Sequence, residues 1–254
     1  MKYTGYLIFE ICKTCNLGDV HTVCPNKHPE RFSRLEQLKT LPIPQIARIA
    51  KEMHEQYGFR GRIGFHYYNE PLMTEKRLWS AMDAIDAAVD GARYTLWTNG
   101  TRWPKQPDNL KRFDEVHLTD YRLPEFPVDL EAWRGVVPKV NVHHWPLDGR
   151  LNLAGQRLHH PCRRMFTEFV IDYFGNVHLC CYDWQGLGSP GNVQTTPLDM
   201  LVGEWQSIRD TISGTAMRDG APDVCLTCNM RSTGLTRFVP EIAEESDDYV
   251  RGLT

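Results

Sequence analysis

The first 150 residues alternate short apolar segments with amphipathic ones, and this order constrains the fold more than any other feature. Apolar, partly β-branched runs are typical of buried strands, whereas apolar residues at helical spacing indicate helices packed against them. A chain that alternates the two builds parallel strands with the helices outside. The predicted strands cover residues 6–11, 61–68, 92–98, 114–121 and 137–143.

Two helices are predicted between the first three strands. The first follows the segment LPIP and ends at Gly58, and the second ends at Gly91. Because about 150 residues are too few for eight strand–helix units, we predict an α/β fold with a partial (β/α) TIM-like barrel. The apolar stripes of the two helices are Ile46, Ile49, Ala50, Met53 and Tyr57 in the first, and Leu78, Ala81, Met82, Ile85 and Val89 in the second.

The sequence changes in character after about residue 150. FTEFVIDYFGNVHLCCYD is predicted to form a hairpin with Gly175 and Asn176 at its turn, and PLDMLVGEWQSIRDTI an amphipathic helix. We therefore predict a barrel domain over 1–150, a small domain of a β-hairpin plus a helix over 151–240, and an acidic solvated tail over 241–254.

Composition and charge exclude several classes of function. The net charge is −3 and there is no basic run, so we expect no nucleic-acid partner. No apolar stretch reaches the length of a membrane span, and the N-terminus lacks a signal-peptide layout. We therefore expect a cytoplasmic protein with reduced thiols, in which eight cysteines indicate metal or redox chemistry rather than disulfides.

The first group of cysteines follows the first predicted strand directly. Cys12, Cys15 and Cys24 have the uneven spacing C-x2-C-x8-C. A disulfide would leave one thiol over, and a zinc site would need a fourth ligand. An iron–sulfur cluster with one open iron would need three ligands.

The second group of cysteines lies in the predicted hairpin and beyond it. A hairpin cysteine together with a C-x-x-C pair suits either a tetrahedral metal or an iron–sulfur cluster. On spacing alone a structural zinc site is the alternative, including one that pairs the two C-x-x-C segments of the chain. The members of this group are Cys162, Cys180, Cys181, Cys225 and Cys228.

Five motifs occur in one order along nearly the full length: CNL…CPN, GFHYYNEPLM, WTNG, FGNVHLCCYDWQG and CLTC. Together they resemble radical S-adenosylmethionine enzymes that carry a shortened SPASM ("twitch") domain. The segment GRIGFHYYNEPLM and the spacing Cys162-x17-Cys180-x44-Cys225-x2-Cys228 are most similar to aminocyclitol dehydrogenases of the butirosin-pathway type within that family.

The resemblance implies a [4Fe–4S] cluster on three ligands, whose open iron binds S-adenosylmethionine and yields a 5′-deoxyadenosyl radical. The family stretch that contacts the amino group of this cofactor corresponds to Tyr68, Asn69, Glu70 and Pro71, with Asn69 in place of the usual glycine. Thr98 and Asn99 either touch the nucleoside or form only a turn.

The third ligand of this first cluster is open. The usual family loop is C-x3-C-x2-C, and CNL and CPN assign its first and last positions to Cys15 and Cys24. The middle position is then His21, in a C-x5-H-x2-C loop. Cys12 is the alternative, and we favour it because a reduced iron cluster prefers sulfur to imidazole.

By the same resemblance Cys162, Cys180, Cys225 and Cys228 ligate a second [4Fe–4S] cluster, and Cys181 is a spare core thiol. A fully ligated cluster is suited to carrying an electron. The expected function is therefore oxidation of a hydroxyl-bearing small molecule of the polyol or aminocyclitol type, with the second cluster accepting the second electron. An external donor such as flavodoxin or ferredoxin would supply the reducing electron for the first cluster.

The proton acceptor of this reaction has several candidates. Arg150 corresponds to a substrate-side arginine of the family, and because a guanidinium stays protonated its expected role is to orient the substrate oxygen. Histidines near the predicted domain junction titrate near neutrality and are candidates for the base. These are His143, His144, His159 and His160.

Two other functions compete with this one. Many SPASM-type relatives are peptide-modifying radical enzymes that form crosslinks. We expect this less, since the chain begins almost directly with the first strand and leaves no room for an N-terminal leader-binding module. A non-enzymatic binding protein stapled by zinc is the second alternative, and it fits the irregular first cysteine motif.

Overall fold

The computed structural model describes residues 5–21, 24–27, 39–144, 167–181 and 183–213. None of the helices in these ranges is long and apolar enough to cross a membrane. The strands are β1 Tyr6–Phe9, β2 Arg62–Gly64, β3 Tyr94–Thr98, β4 Glu115–Asp120, β5 Val140–His144, β6 Glu168–Ile171, β7 Asn176–His178 and β8 Gly191–Asn192, and the α-helices are α1 Ile43–Gln56, α2 Glu75–Asp86, α3 Leu130–Val136 and α4 Leu198–Ser213.

The eight described strands form one sheet in the order β5-β4-β3-β2-β1-β6-β7-β8. Strands β1 to β6 pair in parallel, and β7 and β8 pair antiparallel at one edge. The described sheet does not close on itself. This confirms the predicted α/β fold with a partial barrel.

Every predicted strand of the first part is present, although β2 is shorter than its apolar run suggests. The prediction extended it over 61–68, but the strand ends at Gly64. The Asn69 side chain donates a hydrogen bond of 3.2 Å to the carbonyl of Phe65, which closes residues 65–69 into a loop instead. The apolar and aromatic residues of this segment therefore belong to a loop beside the strand ends.

The predicted hairpin is confirmed, and it continues the barrel sheet. Strands β6 and β7 pair antiparallel, and Gly175 between them takes a φ of 90°, a left-handed conformation that suits glycine. Strand β6 also pairs in parallel with β1, which brings the second half of the chain against the first. The predicted boundary at residue 150 and the acidic tail 241–254 lie outside the described residues.

Helices α1 and α2 cover one face of the sheet with the stripes that the sequence predicts. Burial of such side chains supplies most of the driving force for packing, at about 1.5–3 kcal/mol for a large one. Tyr57 and Val89 lie just beyond the helix ends. The buried members are Ile46, Ala47, Ile49, Ala50 and Met53 in α1, and Leu78, Trp79, Ala81, Met82 and Ile85 in α2.

Candidate active site

Three predicted site segments meet at the carboxyl ends of β1, β2 and β3. The cysteine loop follows β1, the loop ending in Glu70 and Pro71 follows β2, and Asn99 follows β3 directly. Parallel strands end at the same edge of a sheet, which is where sites of α/β folds form. Gly100 has a φ of 73°, so Asn99 and Gly100 do form the predicted turn.

The buried carboxylate of Glu70 holds two of these segments together. It accepts hydrogen bonds from the Thr98 hydroxyl at 2.8 Å, the Asn99 backbone N–H at 2.8 Å and the Leu72 N–H at 3.2 Å. Burial raises the pKa of Glu70, and these three donors oppose that rise. Glu70 therefore fixes the loop after β2 to the end of β3.

The cysteine loop is attached to the same network by backbone and amide contacts. The Glu70 N–H donates to the carbonyl of Thr14 at 2.9 Å. The Asn99 amide donates to Asn16 Oδ1 at 2.8 Å and lies 3.8 Å from Cys15 Sγ. Asn16 in turn donates to the Thr101 hydroxyl at 2.8 Å. Asn99 is therefore more than a turn residue, because its side chain positions the loop that carries Cys15.

The three cysteines of the first group are in different environments. The Cys12 thiol is buried and donates to the Glu70 carbonyl at 3.5 Å, while the Asn69 amide donates to its sulfur at 3.6 Å. Burial raises the pKa of the Cys15 thiol to about 12, the Leu17 N–H opposes the rise, and the charges of Glu70 and Cys24 add to it. Cys15 and Cys24 therefore lie close enough to influence each other.

The two candidates for the third ligand lie in different surroundings. His21 is buried, with its ring centroid 5.0 Å from that of Tyr121 beyond β4. Among the described residues, no group of three or more His, Cys, Asp and Glu side chains is arranged to hold a metal ion. The chemical type of these ligands fits an iron–sulfur cluster, because the loop offers soft thiols in a buried setting. Both Cys12 and His21 stay predictions as the third ligand.

One buried acceptor at this edge has no hydrogen-bond partner within the described part of the chain. It is the Oδ1 atom of Asn69, whose Nδ2 is used by Phe65 and Cys12. A buried amide oxygen without a donor costs about 1–3 kcal/mol. Such an atom indicates a place where a ligand N–H would be accepted.

The hairpin lies directly beside the loop after β2. The Tyr68 hydroxyl donates a hydrogen bond to the carbonyl of Cys181, and the Tyr67 ring centroid lies 5.1 Å from that of His178. Cys180 is buried, whereas Cys181 is half-buried. The other predicted site residues of the second half lie outside the described residues. They are Arg150, His159, His160, Cys162, Cys225 and Cys228.

A row of aromatic rings lies on the face of the sheet opposite α1 and α2. Trp97 lies between His66, at a centroid distance of 5.3 Å, and His117, at 4.0 Å and an interplanar angle of 6°. His143 on β5 continues the row, 5.2 Å from both Trp97 and His117. The sequence predicted His143 as a candidate base, but it did not identify His117.

Glu115 lies beside this row on the same face of β4 and is paired with four side chains. His117 Nε2 lies 3.2 Å away, the Tyr6 hydroxyl 3.3 Å, Arg62 3.5 Å and Lys139 3.7 Å. Burial alone would raise the pKa of Glu115, but His117, then Arg62 and Lys139, lower it to about 2. The alternation of side chains along β4 could have identified this pair from the sequence, because Glu115, His117 and Thr119 share one face.

A family model matches one segment in the second half of the chain. Residues 162–229 match the SPASM family, described as an iron–sulfur cluster-binding domain. The matched segment begins at Cys162 and contains all five cysteines of the second group. No curated protein sequence matched the chain.

Solved structures resemble the fold over most of its length. BtrN in complex with AdoMet and 2-DOIA has a TM-score of 0.58 and 20% identity, covering 89% of this chain and 93% of BtrN. Selenomethionine BtrN in an open conformation gives the same TM-score and identity, covering 89% and 92%. Native anSMEcpe with bound AdoMet has a TM-score of 0.58 and 12% identity, covering 98% and 99%. The chain therefore shares the fold of BtrN and anSMEcpe, and its residues 162–229 match a SPASM iron–sulfur cluster-binding domain.

Proposed function

We propose that the protein is a radical S-adenosylmethionine oxidoreductase that oxidises a hydroxyl group of a small polyol or aminocyclitol. One observation carries the proposal: the Glu70 carboxylate and the Asn99 amide join the ends of β2 and β3 to the loop of Cys15, directly beside the hairpin that bears Cys180. The fold likeness to BtrN, whose structure holds AdoMet and 2-DOIA, supports the choice of substrate class.

Two sets of cysteines would hold the clusters. Cys15 and Cys24 would ligate the first, with Cys12 as the third ligand and His21 as its alternative. Together with S-adenosylmethionine, this cluster would supply a 5′-deoxyadenosyl radical. An electron donor of the flavodoxin or ferredoxin kind, as found in the cytoplasm, would reduce it. The second cluster would be ligated by Cys162, Cys180, Cys225 and Cys228.

The contacts divide the predicted cofactor residues into two roles. The Glu70 carboxylate already accepts three donors of the chain, and the Thr98 hydroxyl is one of them, so both act by positioning the loops. Asn69 Oδ1 is the buried acceptor without a described partner, and we assign it to the amino group of S-adenosylmethionine. Tyr68, Pro71 and Asn99 would shape the same cleft, and Arg150 would orient the substrate oxygen.

The function is tested on anaerobically reconstituted protein. We expect about eight irons with matching sulfide per chain, release of 5′-deoxyadenosine, and transfer of deuterium from the carbinol carbon of the substrate into it. Stoichiometric zinc without sulfide would refute the radical chemistry. A product of unchanged oxidation level, or one with a new carbon–carbon or carbon–sulfur bond, would refute the oxidation and leave the radical chemistry standing.

A further inference from the structure

We propose that Glu115, His117 and His143 form a proton relay on the concave face of the partial barrel, with His143 taking the proton of the substrate hydroxyl. The inference rests on the proposed function, because oxidation of a hydroxyl group to a carbonyl must release that proton. The inference adds the residue that accepts this proton. A permanently protonated guanidinium, such as that of Arg150, is unsuited to this role.

The three side chains follow one another along the sheet, in the direction of the edge at which the cysteine loop lies. Glu115 and His117 lie two positions apart on one face of β4, opposite the buried Val116. His143 pairs in register with Thr119, two positions beyond His117. His117 Nδ1 lies 3.0 Å from His143 Nε2, and His117 Nε2 lies 3.2 Å from Glu115 Oε1. The relay therefore runs from a buried carboxylate to the carboxyl ends of the strands.

The ionised carboxylate of Glu115 gives the relay its direction. A carboxylate only accepts, so the proton of a neutral His117 belongs on Nε2 and leaves Nδ1 as an acceptor. His143 then donates through Nε2, which makes Nδ1 its basic nitrogen. The geometry of the contact between Glu115 and His117 is that of an ion pair rather than that of a well-aligned hydrogen bond.

The surroundings of the relay come from several strands. Tyr6 on β1, Arg62 on β2 and Lys139 before β5 all face Glu115, and His66 lies on the far side of the Trp97 ring. The two cations offset the carboxylate in part, but His117 is the nearer partner. The Trp97 ring is parallel to that of His117, and an aromatic face attracts a cation placed over it. Residues on or beside β1, β2, β3 and β5 therefore surround the relay.

With the relay, the hydrogen atom, the electron and the proton of the proposed oxidation are all accounted for. With both cofactors bound, the deoxyadenosyl radical would take the hydrogen atom of the carbinol carbon, and an iron–sulfur cluster would take the remaining electron. The proton of the hydroxyl group goes to His143 Nδ1 as the C=O bond forms. His143 then passes its Nε2 proton to Nδ1 of His117, and the positive charge comes to lie beside Glu115. This is the arrangement by which a buried carboxylate supports a histidine base.

The first test needs no turnover. In the full chain with isotope-labelled histidine rings, we expect the NMR signals of His117 and His143 to titrate together. Glu115→Gln should move the shared midpoint down by about one pH unit, because the group that stabilises the positive charge is lost. His54→Gln is the matched control, since His54 lies in α1 on the other face of the sheet. Independent titration of the two rings, unmoved by Glu115→Gln, would overturn the relay.

The second test separates the relay from the proposed function. His143→Gln should still form 5′-deoxyadenosine and incorporate substrate deuterium, but give about 100-fold less oxidised product per deoxyadenosine. The yield of oxidised product should also fall in His117→Gln, and His54→Gln should match the parent. Glu115→Gln should move the rising arm of the pH profile to lower pH, since the base is active in its neutral form.

The outcomes of the second test are distinguishable. Hydroxyl oxidation by the parent together with parent-like coupling in His143→Gln would refute the relay alone. A parent that oxidises no hydroxyl would refute the proposed function, and the role of the relay with it. Loss of coupling in His143→Gln with an unchanged His54→Gln control would support both.

Discussion

The backbone N–H of Asn99 donates a hydrogen bond of 2.8 Å to Glu70, across 29 positions of sequence. This bond joins the end of β3 to the loop after β2. Because Glu70 also receives the Thr98 hydroxyl, both residues of the strand end are fixed by one carboxylate. The shape of the candidate cofactor cleft therefore depends on a side chain whose oxygens are already occupied by the chain itself.

Replacing Glu70 by Gln should loosen this cleft. One oxygen becomes an NH₂ group facing a backbone or hydroxyl donor, so a buried donor loses its acceptor, at a cost of about 1–3 kcal/mol in the free energy of unfolding. We expect weaker binding of S-adenosylmethionine, measured by calorimetry, with urea unfolding for stability. Glu75→Gln is the control, since Glu75 only accepts from the exposed Lys105 N–H. Parent-like affinity in Glu70→Gln would contradict the positioning role.

Substitution of Cys12 and His21 decides the third ligand of the first cluster. We expect Cys12→Ser to lose about four irons per chain and the ability to cleave S-adenosylmethionine, because a hydroxyl is a poor substitute for a thiolate. His21→Ala should keep both. Cys181→Ser is the control for general damage, and it should retain both clusters. The reverse pattern, loss in His21→Ala and retention in Cys12→Ser, would assign the C-x5-H-x2-C loop.

The assignment of Asn69 to the cofactor predicts a loss of affinity rather than of the cluster. Asn69→Ala removes the acceptor for the amino group, so we expect the dissociation constant for S-adenosylmethionine to rise about 10-fold, or about 1.4 kcal/mol. Iron content should be unchanged. Asn109→Ala is the matched control, because the Asn109 side chain donates to the exposed Gln106 side chain. Unchanged affinity in Asn69→Ala would remove this contact from the proposal.

The order of elements was predictable from sequence because it depends on local periodicity. Helix α1 has its apolar stripe at helical spacing, and the hairpin turn is marked by Gly175, so both were found. The end of β2 at Gly64 was not predicted, because an apolar run does not show that Asn69 closes the following residues into a loop. A tertiary contact decides that boundary.

Relationships between distant strands were beyond sequence reasoning. Nothing local indicates that β6 pairs with β1, and this pairing places Cys180 near the loop after β2. The face shared by Glu115 and His117 follows from the period of a strand, but the approach of His143 depends on the register between β4 and β5. Sequence therefore predicted the motifs of the site, and the register supplied the relay.

The paired carboxylate of Glu115 predicts how stability depends on pH. Its pKa falls from 4.5 to about 2 in the folded protein. A carboxyl group with a lowered pKa contributes stability above its unfolded pKa and loses it as the pH falls towards the folded value. That contribution is about 3 kcal/mol, present above pH 4.5 and lost between pH 4.5 and about 2. Glu115→Gln should therefore be less stable than the parent at pH 7 in urea unfolding, and the difference should shrink through this window. Asp90→Asn, at an exposed carboxylate in the turn after α2, should follow the parent throughout. A gap between Glu115→Gln and the parent that is constant with pH would show that lost packing, rather than lost charge, destabilises the variant.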